Sequence, residues 1–65
     1  MKIRVNGTIK ETTAKMVVDL LAELDLLPTQ VAIEHNGIVL FRHELAQTPV
    51  RNNDHIEIIR VVAGG

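Results

Sequence analysis

Asn-Gly pairs at residues 6–7 and 36–37 restrict the possible folds of this chain more than any other feature. A two-residue hairpin loop needs positive φ at both of its central positions, and Asn followed by Gly meets that need. Residues 1–5 alternate between apolar and basic side chains, which is the period of a half-buried strand. Since residues 8–11 are expected to return antiparallel, the chain is predicted to open on a β-hairpin.

A single helical pattern separates the two Asn-Gly pairs. Thr12 and Thr13 are candidate N-cap residues, because a threonine oxygen can accept a hydrogen bond from an amide of the first helical turn. The helix is expected to run through Leu27, since Pro28 cannot continue it. An apolar stripe at helical spacing, opposite a charged face, predicts that this helix packs on the core. The stripe consists of Val17, Leu20, Leu21 and Leu24.

Three more strands are predicted after the helix. Residues 31–35 alternate again, and the second Asn-Gly pair joins them to a short strand at residues 38–40. A single helical turn is expected at residues 41–45. The Asn and Asp residues at 52–54 tolerate the left-handed conformation and predict a turn. The last strand is then predicted to run from residue 55 or 56 to about 62.

This order of elements predicts an α+β fold with two layers. If the first and last strands lie side by side at the centre of the sheet, the crossover through the helix is right-handed and the arrangement is a β-grasp. We therefore expect a mixed sheet of four to five strands packed on one main helix. Residues 1–62 are expected to form this single domain, and residues 63–65 a flexible Ala-Gly-Gly tail.

Several kinds of catalytic site are excluded by the residue types present. The chain has no cysteine and no serine, so it holds neither a thiolate nor a serine nucleophile. His35, His43 and His55 lack the i,i+4 spacing of a zinc-binding helix, and each is expected to be solvated beside a turn or a strand end. The isolated glycines of the turns form no phosphate-binding loop. We expect that the chain is not an enzyme by itself and binds no metal.

Nucleic acid and membranes are not expected partners. The net charge is −1 with both signs interspersed, and one Phe without Tyr or Trp leaves little for bases to stack on. The first residues lack the apolar core of a signal peptide, and no segment approaches the ~20 apolar residues that cross a bilayer. The sequence therefore predicts a cytoplasmic protein.

The last strand is followed by Ala63, Gly64 and Gly65. Two adjacent glycines at given positions occur by chance with odds of roughly one in 200. They could be a frayed end, or a tail without side chains that presents its carboxylate to another protein.

Alternation along the last strand divides its side chains between two faces. Ile56 and Ile58 are expected to face the helix, so that Ile59 and Val61 point to the side that a two-layer fold leaves uncovered. Scattered exposed apolar residues are normal on protein surfaces. Because Ile59 and Val61 lie close to the tail, we interpret them as a docking patch.

The chain resembles the ThiS-type sulfur carriers of thiamin biosynthesis, which are small ubiquitin-like β-grasp proteins that end in Gly-Gly. The resemblance covers essentially the whole length. Family members often have Val-Pro-Arg where this chain has residues 39–42, and usually Gly-Asp where it has residues 53–54. The matching segments are MKIRVNG at 1–7, VVDLL at 17–21, AIEHN at 32–36, Ile38-Val39, Arg42, DHIEI at 54–58 and AGG at 63–65.

The resemblance implies a function for the tail. The Gly65 carboxylate would be adenylated with ATP by a ubiquitin-activating-like enzyme, converted to a thiocarboxylate, and used by thiazole synthase as a sulfur source. The sulfur would come from a donor such as a cysteine desulfurase system, and no cofactor would stay bound. Ala63 and Gly64 would thread the partner's active site, while Ile59, Val61 and Val62 would dock outside it.

Three alternatives remain open at the level of the sequence. The chain could carry sulfur for another pathway, as the small subunit of molybdopterin synthase does, although those relatives are usually longer. It could be a ubiquitin-like modifier joined through Gly65 to lysines of target proteins. It could also be a plain binding module in which Gly-Gly is incidental.

Overall fold

The structure, a computed structural model, describes residues 1–61. This part of the chain forms five strands, one α-helix and two short 3-10 turns. The elements are β1 (Lys2–Val5), β2 (Thr8–Glu11), α1 (Val17–Glu23), a 3-10 turn at Pro28–Gln30, β3 (Val31–His35), β4 (Ile38–Leu40), a second 3-10 turn at Arg42–Glu44 and β5 (His55–Arg60).

The five strands form a single mixed sheet in the order β2-β1-β5-β3-β4. β1 and β5 are parallel neighbours, and the three other pairings are antiparallel. The first and last strands thus lie side by side in the interior of the sheet. The predicted α+β fold of the β-grasp type, a mixed sheet packed on one main helix, is confirmed.

Both Asn-Gly pairs form the predicted hairpin turns. The φ angles are 50° at Asn6 and 82° at Gly7, and they are 50° at Asn36 and 85° at Gly37. The asparagine side chains have a second role that the turn signal does not reveal. Asn6 Nδ2 donates to the Ile58 carbonyl at 3.1 Å, and its Oδ1 accepts from the Ile58 N–H at 2.7 Å. The side-chain amide thus continues the pairing of β1 with β5 beyond the last residue of β1.

The core lies between α1 and one face of the sheet. Val17, Leu20 and Leu21 of the predicted apolar stripe are buried, and Leu24 packs partly buried against them. We call the sheet face under α1 the covered face and the opposite one the open face. The buried apolar residues are Ile3, Ala14, Val17, Leu20, Leu21, Ile33, Leu45, Val50 and Ile56.

The predicted start of the helix is wrong. Helix α1 begins at Val17, and its N-cap residue is Met16 rather than Thr12 or Thr13. The Met16 N–H donates to Asp19 Oδ2 at 3.1 Å, so the carboxylate of an acidic residue in the first turn accepts from the backbone of the N-cap residue. Thr12 is buried and accepts a hydrogen bond from the Ala14 N–H. Its hydroxyl also donates to Glu23 Oε2 at 2.8 Å, so Thr12 fastens the loop before the helix to the last residue of α1 instead of capping the first turn.

The predicted end of the helix is also wrong, by four residues. The helix ends at Glu23, and Asp25 adopts a left-handed conformation with φ of 56°. The Leu26 N–H donates to the Leu21 carbonyl at 2.9 Å, which is the long hydrogen bond of a Schellman motif. Pro28 begins the 3-10 turn that follows. Helices usually end at a glycine. An aspartate in that position explains why the predicted helix end was wrong.

The second half of the chain otherwise follows the predicted strands and turns. The helical turn expected at residues 41–45 is the 3-10 turn Arg42–Glu44, closed by a 2.7 Å hydrogen bond from the Phe41 N–H to Glu44 Oε1. Strand β5 ends at Arg60, whereas the sequence predicted a strand to about Val62. The boundary expected between residues 62 and 63 lies outside the described residues.

Candidate functional site

Strand β5 presents different side chains to the two faces of the sheet, as the alternation predicts. Ile56 is 1% exposed and lies in the core, and Ile58 packs partly buried against it. Ile59 is 60% exposed on the open face, where its cross-strand partner is Ala32. The structure therefore places Ile59 where the docking patch was predicted, and its role in docking stays a prediction.

A hydrogen bond anchors Val61, the first residue after β5. The Val61 N–H donates to the Gln30 carbonyl at 2.8 Å, and the Val61 side chain is 52% exposed. This bond ties the end of β5 to the turn that leads into β3. The other predicted site residues, Val62, Ala63, Gly64 and Gly65, lie outside the described residues. Four residues can extend at most about 13–14 Å beyond this point.

Two carboxylates lie beside Ile59 on the open face. Glu34 of β3 and Glu57 of β5 are direct cross-strand partners, one step along the strands from the Ala32–Ile59 pair on the same face. Val39 of β4 continues this row as the partner of Glu34. Alternation along β3 and along β5 accounts for the outward direction of each carboxylate separately. Their pairing depends on the register of β3 against β5, which the sequence did not reveal.

The other half of the open face is largely basic, although it includes Glu11, the cross-strand partner of Lys2. Lys2, Arg4 and His55 surround a shallow depression of about 140 Å³ beside Ile9. A second depression, of about 240 Å³, lies near Glu11, Thr12 and Glu23. Both are smaller than the roughly 300–1,000 Å³ typical of small-molecule pockets. Sequence reasoning singled out neither one.

His35 is not the solvated residue that the sequence predicted. Its side chain is 17% exposed, and its Nε2 lies 2.8 Å from Oδ2 of Asp54. A carboxylate only accepts, so the ring N–H donates this hydrogen bond. The same carboxylate accepts from Asn36 Nδ2 at 3.0 Å and from the Arg51 N–H at 2.8 Å. A long-range contact thus fastens the β3–β4 hairpin to the loop before β5.

Two opposing effects act on the carboxyl of Asp54. Burial disfavours its anion and by itself would raise its pKa. The hydrogen bonds from Asn36, from the Arg51 N–H and from His35 favour the anion more strongly, so the pKa of Asp54 lies below its ordinary value. Asp54 therefore stabilises the folded chain as an anion.

The two other histidines have separate surroundings. His43 stacks on Phe41 with ring centroids 6.1 Å apart, and His55 is exposed on the open face. Within residues 1–61, no group of three or more His, Cys, Asp or Glu residues is arranged to hold a metal ion. The same part of the chain contains no helix that is long and apolar enough to cross a membrane.

Comparison with protein families gives a match over nearly the whole chain. The model of the ThiS family matches residues 3–65, which includes the residues beyond the described part. The matched range therefore includes the sheet, its open face and residues 62–65.

Two solved structures from Geobacter metallireducens are similar to this chain. One is the crystal structure of a thiamine biosynthesis protein (ThiS), with 30% identity, full coverage of both chains and a TM-score of 0.84. The other is the NMR solution structure of a thiamine biosynthesis protein, with 32% identity, coverage of 100% of this chain and 88% of that chain, and a TM-score of 0.78.

A curated relative has a different size. The thiazole synthase of Paramagnetospirillum magneticum is 35% identical to this chain over 66 residues, which is 100% of this chain and 20% of that protein. The chain thus spans about a fifth of the length of this relative.

Proposed function

The chain belongs to the ThiS family, and from that membership we propose that it is a sulfur carrier protein that delivers sulfur for thiazole formation in thiamin biosynthesis. The observation that carries the proposal is a family match that extends to Gly65, in a chain whose strand β5 leaves Ile59 60% exposed on the open face. In this role the chain is the substrate of its partner enzymes rather than a catalyst.

The proposed chemistry takes place at the carboxylate of Gly65. A C-terminal carboxyl has a pKa of about 3.3–3.7, so near pH 7 it is an anion and a poor electrophile. Attack of this carboxylate on ATP in an activating enzyme gives an acyl adenylate and pyrophosphate. Hydrosulfide then expels AMP and leaves the thiocarboxylate. If the nucleophile is a persulfide instead, a second thiol reduces the acyl disulfide and releases the same product.

The composition of the tail suits this chemistry. The reacting carbon belongs to the backbone of Gly65, so no side chain of the carrier takes part in bond formation. Gly64 and Gly65 lack Cβ atoms and can pass through a narrow channel in conformations closed to other residues. From the hydrogen bond at Val61, the tail can reach about 13–14 Å into a partner while Ile59 stays on the surface.

A thiazole synthase is the proposed sulfur acceptor. The relative from P. magneticum bears that name and contains a segment similar to this whole chain. A carrier-like segment within the same polypeptide as a thiazole synthase supports a functional contact between the two. The activating enzyme and a sulfur donor such as a cysteine desulfurase system are the further partners of the proposed cycle.

Intact-mass spectrometry tests the proposed function directly. The chain is incubated with the activating enzyme of its own organism, ATP and a sulfur donor. We expect the mass increase of an oxygen-to-sulfur exchange, located by fragmentation at Gly65. A variant that lacks Gly65 serves as the control, and it should keep its thermal stability while it fails to gain sulfur.

Three results would contradict the proposal. Loading of the truncated variant would show that the sulfur is not carried on Gly65. Isopeptide adducts on lysines of other proteins would identify a modifier instead of a carrier. A native protein in which the chain continues beyond Gly65 would have no free carboxyl there to adenylate.

A further inference from the structure

Two like charges face each other on the open face. Glu34 and Glu57 are direct cross-strand partners, and the Cβ atoms of such pairs lie about 4.5–5.5 Å apart. Like charges in this position destabilise a sheet. The repulsion lies beside the Ala32–Ile59 pair, next to the end of β5 from which the tail continues.

Residues 1–61 supply no close cation to either carboxylate. In that part of the chain, the one ion pair within 4.0 Å joins His35 to Asp54. The basic side chains of the open face belong to β1 (Lys2 and Arg4) and to the first residue of β5 (His55), and β1 pairs with β5 at His55 and Ile56 rather than at Glu57. The open face therefore has a largely basic half around Lys2, Arg4 and His55 and an acidic half around Glu34 and Glu57, and the acidic half adjoins the end of β5.

We propose that the acidic half docks onto a thiazole synthase surface that carries a lysine or arginine beside an apolar contact. We define this docking surface by Ala32, Glu34, Glu57 and Ile59. The inference rests on the proposed function, because it names the chemistry of the acceptor that receives the tail. The two carboxylates favour a cation on the partner by charge complementarity. Ile59 and Ala32 favour an apolar side chain on the partner beside that cation.

The position of the docking surface follows from the short reach of the tail. The hydrogen bond of Val61 to Gln30 holds the chain two residues beyond Ile59. An enzyme that encloses Gly65 must approach within about 13–14 Å of this point, so it meets the acidic half before the basic half. The apolar and charged side chains of the acidic half therefore lie at the rim of the contact that surrounds the tail.

Neutralising a carboxylate of the docking surface should have opposite effects on the stability of the free chain and on its binding to the partner. Replacing Glu57 with Gln removes the repulsion, so the free chain should become more stable. The same change removes an attraction to the partner's cation, so the complex should become weaker. A surface selected only for stability would not show this opposition.

Titration calorimetry with the thiazole synthase of the same organism tests the inference. Neutralising one exposed ion pair typically changes affinity roughly two- to fivefold, and we expect this loss for both Glu57→Gln and Glu34→Gln. Glu11→Gln is the matched control, because it removes the same charge from β2 at the far edge of the open face. The control should change affinity by less than about twofold. Urea unfolding of the free Glu34→Gln and Glu57→Gln variants checks the expected gain in stability.

Salt dependence gives a second readout. The screening length for exposed charges is about 10 Å at 0.1 M salt and becomes shorter as salt is added. The wild-type complex should therefore weaken as salt is added. The Glu34→Gln/Glu57→Gln double variant should respond less. A wild-type affinity that is independent of salt would overturn the inference.

Other outcomes identify a different occupant. Equal losses for Glu11→Gln and Glu57→Gln would overturn the inference in favour of a general charge effect. Unchanged binding to thiazole synthase with slower adenylation of Glu57→Gln would assign the surface to the activating enzyme. A dimer of the free chain that Glu57→Gln dissociates would assign it to a second copy. In each of these cases, sulfur loading of the wild type at Gly65 would leave the proposed carrier function intact, whereas absence of loading would count against that function alone.

Discussion

The covered face and the open face of the sheet are formed by the same strands, but their apolar side chains have different surroundings. On the covered face, Ile3, Ile33 and Ile56 are almost completely buried by α1 and its flanking loops. On the open face, one apolar side chain from each of β2, β4 and β5 is more than half exposed. These three are Ile9, Val39 and Ile59.

This difference shows that one strand can contribute to stability with the side chains on one face and to binding with those on the other. Successive residues of a strand point to opposite faces, so β5 contributes Ile56 to the core and Ile59 to the surface three residues later. Burial of a large apolar side chain stabilises the fold, while an exposed one adds little to it. If the open face serves partners, substitutions there should affect binding and leave the free energy of unfolding nearly unchanged.

The largest expected effect is on the covered face. Replacing Ile56 with Ala removes buried methyl groups and should lower the free energy of unfolding by about 2–5 kcal/mol. A chain of this size has a total stability of roughly 3–10 kcal/mol, so this variant could be largely unfolded. Ile56→Val, with an expected loss of about 0.5–1.5 kcal/mol, keeps the prediction measurable by urea denaturation. A loss no larger than that of an Ile59 variant would remove the distinction between the faces.

The next effect concerns Asp54, the one buried side-chain carboxylate within residues 1–61. Asp54→Asn removes an acceptor from a site that receives hydrogen bonds from His35, Asn36 and the Arg51 N–H. We expect a loss of about 1–3 kcal/mol near pH 7, because at least one partly buried hydrogen bond to the anionic carboxylate is lost. Denaturant unfolding of both proteins at pH 7 measures this difference.

The sign of the pH dependence follows from the lowered pKa of Asp54. A carboxyl whose folded pKa lies below its unfolded value contributes stability above the unfolded value, which is about 3.9, and loses it as the pH falls through the folded value. The advantage of the wild type over Asp54→Asn should therefore be complete above about pH 5 and disappear in stronger acid. An advantage that stays constant from neutral pH to strong acid would show that ionisation of Asp54 is not its source.

Sequence reasoning recovered the parts of the fold that depend on neighbouring residues. The hairpins at Asn6 and Asn36 follow from local φ preferences, and the buried stripe of α1 follows from the helical period. The helix ends were wrong because Asp19 and Asp25, rather than the expected Thr and Pro, form the caps.

Long-range contacts explain most of what the sequence did not predict. The His35–Asp54 contact spans 19 residues, and the opposition of Glu34 and Glu57 requires the register of two strands that a long loop separates. No periodicity or turn signal reports such pairings. The candidate site was therefore predictable as single outward residues of β5, while its acidic half was visible only in the assembled sheet.

Asn6 helps to hold the register that decides which side chains of β5 lie on each face. Replacing it should have a smaller effect on stability. Its amide pairs with the backbone of Ile58, and a one-residue slip of β5 would exchange the two faces. Asn6→Gly keeps the positive φ and removes both hydrogen bonds, so it should lower stability by about 0.5–2 kcal/mol. Asn6→Asp retains the acceptor for the Ile58 N–H and should lose less. Hydrogen exchange at the Ile58 amide measures the change locally, and unchanged protection in both variants would contradict this role.

The smallest expected effect is on the open face. Ile59→Ser removes an apolar side chain that is 60% exposed, and surface substitutions of this kind usually change stability by less than about 0.5 kcal/mol. Urea denaturation of the free chain should therefore give nearly the wild-type value. The affinity for a partner that covers Ile59 should still fall, because the apolar contact is lost. A stability loss above about 1 kcal/mol would mean that Ile59 is buried in solution, and a loss that grows with protein concentration would identify a second copy of the chain as the cover. Near-wild-type stability together with weaker binding would confirm that β5 serves the fold on one face and a partner on the other.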